Sequence, residues 1–431
     1  MTNLILIDCH DLGQHLGCYG WTSVPSPNLD ALAAAGVRFR NSFCTAPQCS
    51  PSRAALYTGR YPHATGMLGL AHPPFDWRLH PDEVHLALHL QQIGYHTIQV
   101  GVQHVTGHDV ASVQALGFDH AIPADHAAAI ADHVVAFLIQ RPSQPFFLNI
   151  GFPEPHRDAQ GRYRQAPPDA SHGVQMPPYL PQSDAARQEF AELQGVIGVM
   201  DAAVGRIWAA LQDSGLLHDT WLIFTTDHGL AMPRAKCTLY DPGLQTALLM
   251  VAPALGLTGG RVYDELISNV DILPTILEML EAPLPGALQG HSFASLLRGN
   301  AYTPRLHLFA EKTFHTAYEP QRGVRTERFK LIWNAEPGIM NVPGDVMRSP
   351  IYPALIEEIV VERPPFELYD LIDDPHERVN RVDDPLYAKI FAELRQLLRK
   401  WMAETNDPLL VGPIASPFFH RGLRALTEAT P

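Results

Sequence analysis

Short apolar runs alternate with amphipathic helical patterns through about the first 280 residues, and this alternation constrains the fold more than any other feature. Strands that alternate with helices predict a mostly parallel sheet sandwiched by helices, an α/β fold. Local signals mark helix ends: Ser26-Pro27 supplies an N-cap and a first-turn proline, and Gly36 ends that helix. The predicted strands cover residues 3–7, 97–100, 146–150, 221–226 and 247–251. The predicted helices cover residues 27–35, 84–93, 126–139, 185–211 and 272–280.

The pattern changes after about residue 300. We therefore expect a catalytic α/β domain over residues 1–305 and a smaller C-terminal α+β subdomain over residues 306–431, with an antiparallel sheet and a terminal helix. The segments of the second domain are antiparallel strands at 306–310 and 322–333, a proline-rich connection at 343–365 and an amphipathic helix at 388–402.

Composition excludes several classes of function. The chain has 31 basic and 45 acidic residues, a net charge of −14, which argues against a nucleic-acid binder. No apolar run approaches the roughly 18 residues of a membrane span, so we expect no membrane contact. The start lacks a basic segment and a cleavage site, and the five cysteines are odd in number and irregularly spaced. These features predict a cytoplasmic protein with reduced thiols and no signal peptide.

Histidines and carboxylates concentrate where predicted strands end. Fourteen of the 22 histidines precede residue 160, which indicates metal or proton-transfer chemistry in that half of the chain. In an α/β sheet, ligands bind beyond the carboxyl ends of the strands. A single Asp there is usually a turn or cap residue, but four strands share the feature, and Asp with His suits a divalent cation. The residues that follow these strands are Asp8, His10 and Asp11, then His104, then Glu154 and His156, and finally Asp227 and His228.

A second signal is the sequence C-S-P-S-R at residues 49–53. It places Cys49 at the start of a short predicted helix over residues 52–57, where an anion is favoured. The cysteine-phosphatase loop is excluded, because that loop needs a longer spacing between its Cys and its Arg. A buried structural cysteine beside an ordinary capped helix is the alternative reading of these residues alone.

The segment resembles the C-x-P-S-R sequence of the type I, formylglycine-dependent sulfatases of the alkaline phosphatase superfamily. Within that family, the chain resembles arylsulfatase and heparan N-sulfatase-like members. The similarity covers most of the chain in collinear order. Its other segments are residues 3–20, 58–62, 66–67, 145–156, 226–229, 236–241, 324–326, 329–331 and 367–371.

The resemblance implies hydrolysis of a sulfate ester or sulfamate. A formylglycine-generating enzyme would convert Cys49 to formylglycine, whose hydrated aldehyde attacks sulfur with the help of one divalent cation. Ca²⁺ is the first expectation for this cation, and Mn²⁺ or Zn²⁺ are the alternatives. The implied substrate is a small anionic compound of the sulfated sugar or aryl sulfate class.

The resemblance also implies a role for each site residue. Arg53 matches the residue that holds the diol, and Lys236 matches a lysine that contacts sulfate oxygens. His104 matches a base near the diol and His156 the histidine on the leaving-group side, although the two proton-transfer roles are interchangeable at this stage. The implied metal ligands are His10, Asp11, Asp227, His228 and the group derived from Cys49.

Two positions depart from the family pattern. Val102 stands where a lysine usually helps to bind sulfate, and Gln103 is the expected substitute for that contact. His10 stands where the first Asp of the metal pair is usual, which shifts metal preference from Ca²⁺ toward Mn²⁺ or Zn²⁺. These departures leave open a phosphodiester or phosphonate monoester hydrolase of the same superfamily. An alternative of another class is a non-catalytic anion- or glycan-binding relative.

Overall fold

The computed structural model describes residues 1–427 and contains two sheets. The strands of the larger sheet are β1 (Asn3–Cys9), β2 (Val37–Phe43), β3 (His96–Gly101), β4 (His120–Ile122), β5 (Phe146–Phe152), β6 (Thr220–Thr226), β7 (Leu248–Val251) and β8 (Arg261–Ser268). They lie in the order β4-β3-β5-β1-β6-β7-β2-β8. Within this described sheet, β7 alone is antiparallel to its neighbours. The predicted fold class, a mostly parallel sheet in an α/β domain, is confirmed.

The central strands β1, β5 and β6 are buried along their whole length. This explains why they read as continuous apolar runs, since helices cover both faces of a parallel sheet. The helices are α1 (Pro27–Ala35), α2 (Cys49–Thr58), α3 (Pro62–Thr65), α4 (Leu86–Gln92), α5 (Val110–Gln114), α6 (Ala127–Ile139), α7 (Asp184–Asp213), α8 (Asp241–Leu244), α9 (Ile272–Met279), α10 (Ala294–Leu297), α11 (Gly344–Met347), α12 (Ile356–Ile359), α13 (Ala388–Glu404) and α14 (Pro417–Thr427). One face of the sheet packs against α1, α6 and α7, and the other against α4 and α9.

The strands of the smaller sheet are β9 (His307–Phe314), β10 (Tyr318–Thr326), β11 (Phe329–Asn334) and β12 (Phe366–Asp370). This sheet is antiparallel and has the order β12-β11-β10-β9. Leu398 and Trp401 of α13 are buried against Leu331 and Leu368 of this sheet, so the amphipathic helix buries its apolar stripe there. The last four residues of the predicted second domain, 428–431, lie outside the described residues.

Three local predictions were wrong. The predicted strand over 322–333 is two strands, because Thr326 bonds back to Phe329 and closes a turn between them. Strands β2, β4, β8 and β12 were not predicted; β2, for example, carries the exposed Arg40 and lacks an apolar run. The proline-rich connection at 343–365 contains the short helices α11 and α12. No helix within residues 1–427 combines the length and apolar character that a membrane crossing needs.

Candidate active site

The carboxyl ends of β1, β3, β5 and β6 meet at one edge of the large sheet, as the sequence predicted. The register pairs Asp8 of β1 with Gly151 of β5 and with Thr225 of β6, so the segments that follow these strands emerge side by side. Helix α2 brings Cys49 to the same edge. Three overlapping groups of residues offer potential metal-ligand atoms there, and within each group these atoms lie within 4.8 Å of one another. They are His10 with Cys49 and His104, Asp11 with Cys49 and His228, and His10 with Asp11 and Asp227.

Cys49 is the first residue of α2, all ten residues of which are buried. The helix therefore begins three residues earlier than predicted. Two contacts fix its start: Ser52 Oγ donates to the carbonyl of Asp227, and Asn269 Nδ2 donates to the carbonyl of Ser52 at 2.9 Å. Cys49 Sγ then lies 3.5 Å from Nε2 of His228. Burial raises the pKa of the Cys49 thiol well above its usual range, which disfavours the thiolate.

Arg53 follows one helical turn later and is fully buried. One guanidinium nitrogen lies 2.5 Å from Asp8 Oδ2 and the other lies 3.3 Å from Asp227 Oδ2. Burial raises the pKa of Asp8 to about 7, against the opposing effect of Arg53. Tyr57, a further turn along α2, donates to the same Asp8 oxygen at 3.2 Å. Asp8 and Asp227 therefore hold Arg53 through different nitrogens of its guanidinium group.

The residues predicted as metal ligands pass a test of fit. Oδ1 of Asp11 and Nδ1 of His10 are buried without a hydrogen-bond partner among the described residues. Yet Asp11 Oδ1 lies 3.2 Å from His228 Nε2, and His10 Nδ1 lies 3.1 Å from Asp227 Oδ2. Polar atoms that crowd together without bonding are the expected arrangement around a shared cation. His228 Nδ1 lies 2.9 Å from the carbonyl of Gly229, a contact that leaves Nε2 free as a ligand.

Lys236 lies on the opposite side of Asp11. Its ammonium is 3.1 Å from Asp11 Oδ2, 2.9 Å from Asp345 Oδ2 and 3.4 Å from His156 Nε2. Burial opposes its charge, but Asp11 and Asp345 raise the pKa of Lys236 well above its usual range. His156 is more open, with 36% of its side chain exposed, and its Nδ1 lies 2.6 Å from the carbonyl of Arg157.

The ring of His104 packs edge to face against the ring of His10, with the two centroids 4.7 Å apart. Burial lowers the pKa of His104 well below its usual range, which favours the neutral imidazole. The loop that carries it packs tightly on β5. A Cβ on Gly151 would lie 1.6 Å from the carbonyl oxygen of Val102, so glycine is required there for this loop position.

The structure does not support a substrate contact by Gln103. Its side-chain oxygen accepts from the backbone of Val105 and Thr106, and its amide nitrogen donates to the carbonyls of Thr106 and Gly107. The amide is therefore used to hold its own loop. Val102 instead lines a cleft of about 280 Å³ beside the cluster. Other residues of this cleft are His10, His104, Glu154, His156 and Arg157.

Sequence reasoning missed Asp345 and Asn269 at this site. Asp345 lies in α11, inside the segment interpreted as a connection, and no local pattern places it against Lys236. Asn269 precedes a predicted helix and reads as a cap residue, although it anchors α2 across the fold. Glu154 follows β5, as predicted, and lines the cleft. Its Oε1 accepts from the backbone N–H of Ala127, so one carboxylate oxygen caps α6.

The fold and this cluster define a class of protein: an α/β enzyme with potential metal ligands at the carboxyl edge of its sheet. The family model described as "Sulfatase" matches residues 2–282, and the model described as "N-sulphoglucosamine sulphohydrolase, C-terminal" matches residues 228–337. The chain therefore belongs to the sulfatase family, whose named members are sulfuric ester hydrolases.

Two human relatives align along nearly the whole chain. N-sulphoglucosamine sulphohydrolase is 30% identical over 465 aligned residues, covering 95% of this chain and 92% of the relative. Arylsulfatase A is 32% identical over 461 residues, covering 95% and 89%. The predicted family and enzyme class are confirmed. These relatives do not favour the phosphorus-centred alternative or the non-catalytic one.

Solved structures agree on the fold. A putative sulfatase from Bacteroides thetaiotaomicron superposes with a TM-score of 0.76 at 22% identity, covering 97% of this chain and 96% of that one. A solved complex of a protein with its substrate D-glucosamine-2-N,6-O-disulfate has a TM-score of 0.73 at 20% identity, covering 94% and 98%.

Proposed function

We propose that the protein hydrolyses a sulfate ester or sulfamate of a small sugar, with a nucleophile made from Cys49 by conversion to formylglycine. The observation that carries this proposal is the position of Cys49. It starts a buried helix and lies 3.5 Å from His228, beside the unpartnered atoms of His10 and Asp11. Because burial disfavours its thiolate, an unconverted Cys49 is poorly suited to attack.

The proposed cation site consists of His10, Asp11, Asp227 and His228, with the group at position 49. When bound, the cation would lower the pKa of the attacking hydroxyl and share the negative charge of the substrate. The resemblance gives Ca²⁺ as the first expectation, while two imidazoles in the ligand set favour Mn²⁺ or Zn²⁺. Metal analysis of the purified protein, and reloading of the apoprotein with each ion, separates these cases.

The remaining side chains divide the work by their surroundings. Lys236, the charged group nearest His156, would bind sulfate oxygens. Arg53 holds Asp227 and adds positive charge beside position 49. A ring nitrogen of His104 lies within 4.8 Å of Cys49 Sγ, so His104 would take the proton that the diol releases. His156 lines the cleft with its Nδ1 held by the Arg157 carbonyl, so a protonated His156 would present its Nε2–H to the leaving group.

The cleft and the relatives support a sulfated sugar as the substrate class. The cleft of about 280 Å³ is at the small end of ligand pockets, which favours one sugar ring over a long polymer. The human relative is named for N-sulphoglucosamine, and the solved complex holds a glucosamine with N- and O-sulfates. We therefore place glucosamine N-sulfate ahead of an aryl sulfate.

The test is release of inorganic sulfate by protein co-expressed with a formylglycine-generating enzyme. Glucosamine N-sulfate, glucosamine 6-O-sulfate and an aryl sulfate are the substrates. Cys49→Ala is expected to abolish release, whereas Cys44→Ala, a buried cysteine outside the cluster, is expected to retain it. No release from the converted protein on any of the three substrates would contradict the proposal.

The proposal also covers the maturation of the protein, its compartment and the boundary between its two domains. Conversion of Cys49 requires a formylglycine-generating enzyme as a transient partner. All five cysteines are unpaired, which fits the reducing cytoplasm. We keep the domain division at residues 305 and 306; residues 307–370 hold the four strands of the smaller sheet, whereas β1–β8 all end by Ser268.

A further inference from the structure

We propose that Glu154 selects the substrate by accepting a hydrogen bond from a ring hydroxyl of the sugar. The residue lies two positions before His156, in the segment that follows β5, and it lines the same cleft. This role deepens the proposed function and rests on it, because it names the part of the substrate that the site recognises besides the sulfate group.

One carboxylate oxygen of Glu154 is used within the fold and the other is open. Oε1 accepts from the backbone N–H of Ala127 at 3.0 Å, whereas Oε2 is buried and has no hydrogen-bond partner within residues 1–427. Only 3% of the residue is exposed. Buried acceptors without a partner are unfavourable and few in native proteins, and each calls for a group that meets it. The open oxygen therefore indicates a bound donor at this wall of the cleft.

A second buried carboxylate that caps a helix shows the pattern of a purely structural role. Asp201 of α7 caps α1, since its Oδ1 accepts from the N–H of Leu29 at 2.8 Å and its Oδ2 accepts from the N–H of Asn28 at 3.1 Å. Both oxygens of Asp201 are thus used within the fold. Capping of α6 by Glu154 uses a single oxygen, so capping does not account for the open Oε2.

The cations around the cleft are engaged elsewhere. Nη1 of Arg157, the arginine of the cleft, lies 2.5 Å from Glu189 Oε1, and its Nε donates to the carbonyl of Ala231 at 2.9 Å. Glu154 also belongs to none of the groups of potential metal ligands among the described residues. Burial raises the pKa of Glu154, and the nearby Asp125 adds to this effect. The open oxygen is therefore left for the substrate.

The chemistry of the oxygen defines the group that it meets. A carboxylate oxygen accepts hydrogen bonds and repels anions, so its partner is a donor such as a sugar hydroxyl and not a sulfate oxygen. Two contacts hold Glu154 in place: Oε1 to Ala127, and the backbone N–H of His10, which donates to the Glu154 carbonyl at 3.4 Å. A fixed, buried acceptor favours a substrate with a matching hydroxyl, because an analogue without one leaves the oxygen unpaired.

The experiment compares glucosamine N-sulfate with cyclohexylsulfamate, which has a six-membered ring and an N-sulfate but no hydroxyl. Calorimetry measures the Kd of each for full-length Cys49→Ala protein in the presence of a divalent ion, so that binding occurs without turnover. Adding Glu154→Gln keeps an amide oxygen for the cap on α6 and replaces the open acceptor by an NH2 group. This change should weaken binding of glucosamine N-sulfate by about 10–10²-fold, the range for a hydrogen bond to a charged group. Binding of cyclohexylsulfamate should be unchanged.

Two further variants make the comparison specific. Glu154→Met, which has no acceptor at all, should lose at least as much affinity for the sugar and serves as the second variant if Glu154→Gln does not fold. Asp201→Asn is the matched control, because it alters a buried helix-capping carboxylate away from the cleft. It should leave both affinities unchanged even where it lowers stability.

Equal losses of affinity for the two sulfamates in the Glu154 variants would overturn the role, because a structural defect does not distinguish the two rings. Unchanged affinity for glucosamine N-sulfate, or no binding of it before Glu154 is altered, would overturn the role as well. Sulfate release by converted protein is measured in parallel. Release at the same kcat/KM with and without Glu154→Gln removes only the role of Glu154, whereas selective binding without release removes only the proposed function.

Discussion

Two fully buried arginines, Arg53 in α2 and Arg322 in β10, are held in opposite ways. Arg322 uses every donor nitrogen: it makes two contacts with Asp407, at 2.5 and 3.0 Å, and donates to three further oxygens of its own sheet. Arg53 contacts Asp8 and Asp227, but its Nε has no partner within residues 1–427.

The surroundings of the two arginines differ in what their open atoms can bind. Around Arg53, buried oxygen or nitrogen atoms of Asp8, His10 and Asp11 lack partners among the described residues, and His10 and Asp11 belong to groups of potential metal ligands. Beside Arg322, Glu311 Oε2 and Gln321 Oε1 also lack partners, but no group of potential metal ligands within residues 1–427 includes them. The saturated Arg322 therefore stabilises the fold, and the open ligand atoms around Arg53 mark the site.

Arg322→Met is expected to have the largest effect on stability. It removes the guanidinium that pairs with the buried carboxylates of Asp407 and Glu311, which should lower the free energy of unfolding by about 3–5 kcal/mol. Urea denaturation measures this loss. Arg421→Met is the control, because its ion pair with Asp76 is partly exposed and should cost about 1 kcal/mol or less. Equal losses in the two variants would contradict the distinction.

Lys236→Met should lower kcat/KM for sulfate release by about 10²–10³, as expected for the loss of one charge-stabilising donor. Lys330→Met is the matched variant outside the site, since Lys330 of the smaller sheet is equally buried and pairs with Asp241 and Glu377. That variant should lose stability while its folded fraction keeps the wild-type kcat/KM. A loss of kcat/KM in Lys330→Met as large as that in Lys236→Met would contradict the distinction between the two lysines.

The buried carboxylate of Glu377, which lies outside the site, should make the stability of the protein depend on pH. Burial raises the pKa of Glu377 from 4.5 to about 7. Between these values the folded state binds more protons than the unfolded state, so this residue makes stability fall as pH rises through that window, by up to about 3 kcal/mol. Unfolding midpoints at pH 5 and pH 7 should therefore drop more in the wild type than in Glu377→Gln. Parallel curves would refute this assignment.

The smallest expected effect is that of metal removal, which should change the stability of site variants and of variants outside the site differently. A divalent ion at about 100 times its Kd should stabilise the wild type by about 2.7 kcal/mol. Asp227→Asn should lose this gain, because it removes a charged ligand. Arg322→Met should keep the gain despite its lower stability. Thermal unfolding with and without chelator measures it, and a metal-dependent shift retained in Asp227→Asn would be evidence against the assigned ligands.

The sequence predicted those parts of the fold and site that depend on local pattern. The apolar runs predicted β1, β5 and β6, and the residues that follow them were expected at one edge for reasons of parallel-sheet geometry alone. Strand β2 was missed because its pairing with β7 and β8, not its apolar content, makes it a strand.

Contacts between distant segments were beyond local pattern. Asp345 reaches Lys236 across 109 positions of the chain, and Asn269 reaches Ser52 across 217. Gln103 was expected to contact substrate because of its neighbour Val102, but its bonds to Thr106 and Gly107 depend on a loop shape that composition does not reveal.

The central claim, a nucleophile made from Cys49, is tested most directly by mass spectrometry of the tryptic peptide over residues 41–53. This peptide contains Cys44 and Cys49, so thiol alkylation gives an internal comparison. In protein co-expressed with a formylglycine-generating enzyme, we expect one alkylated thiol, at Cys44, and an aldehyde at position 49, in preparations that release sulfate. Two alkylated thiols in a preparation that releases sulfate at full rate would contradict the claim.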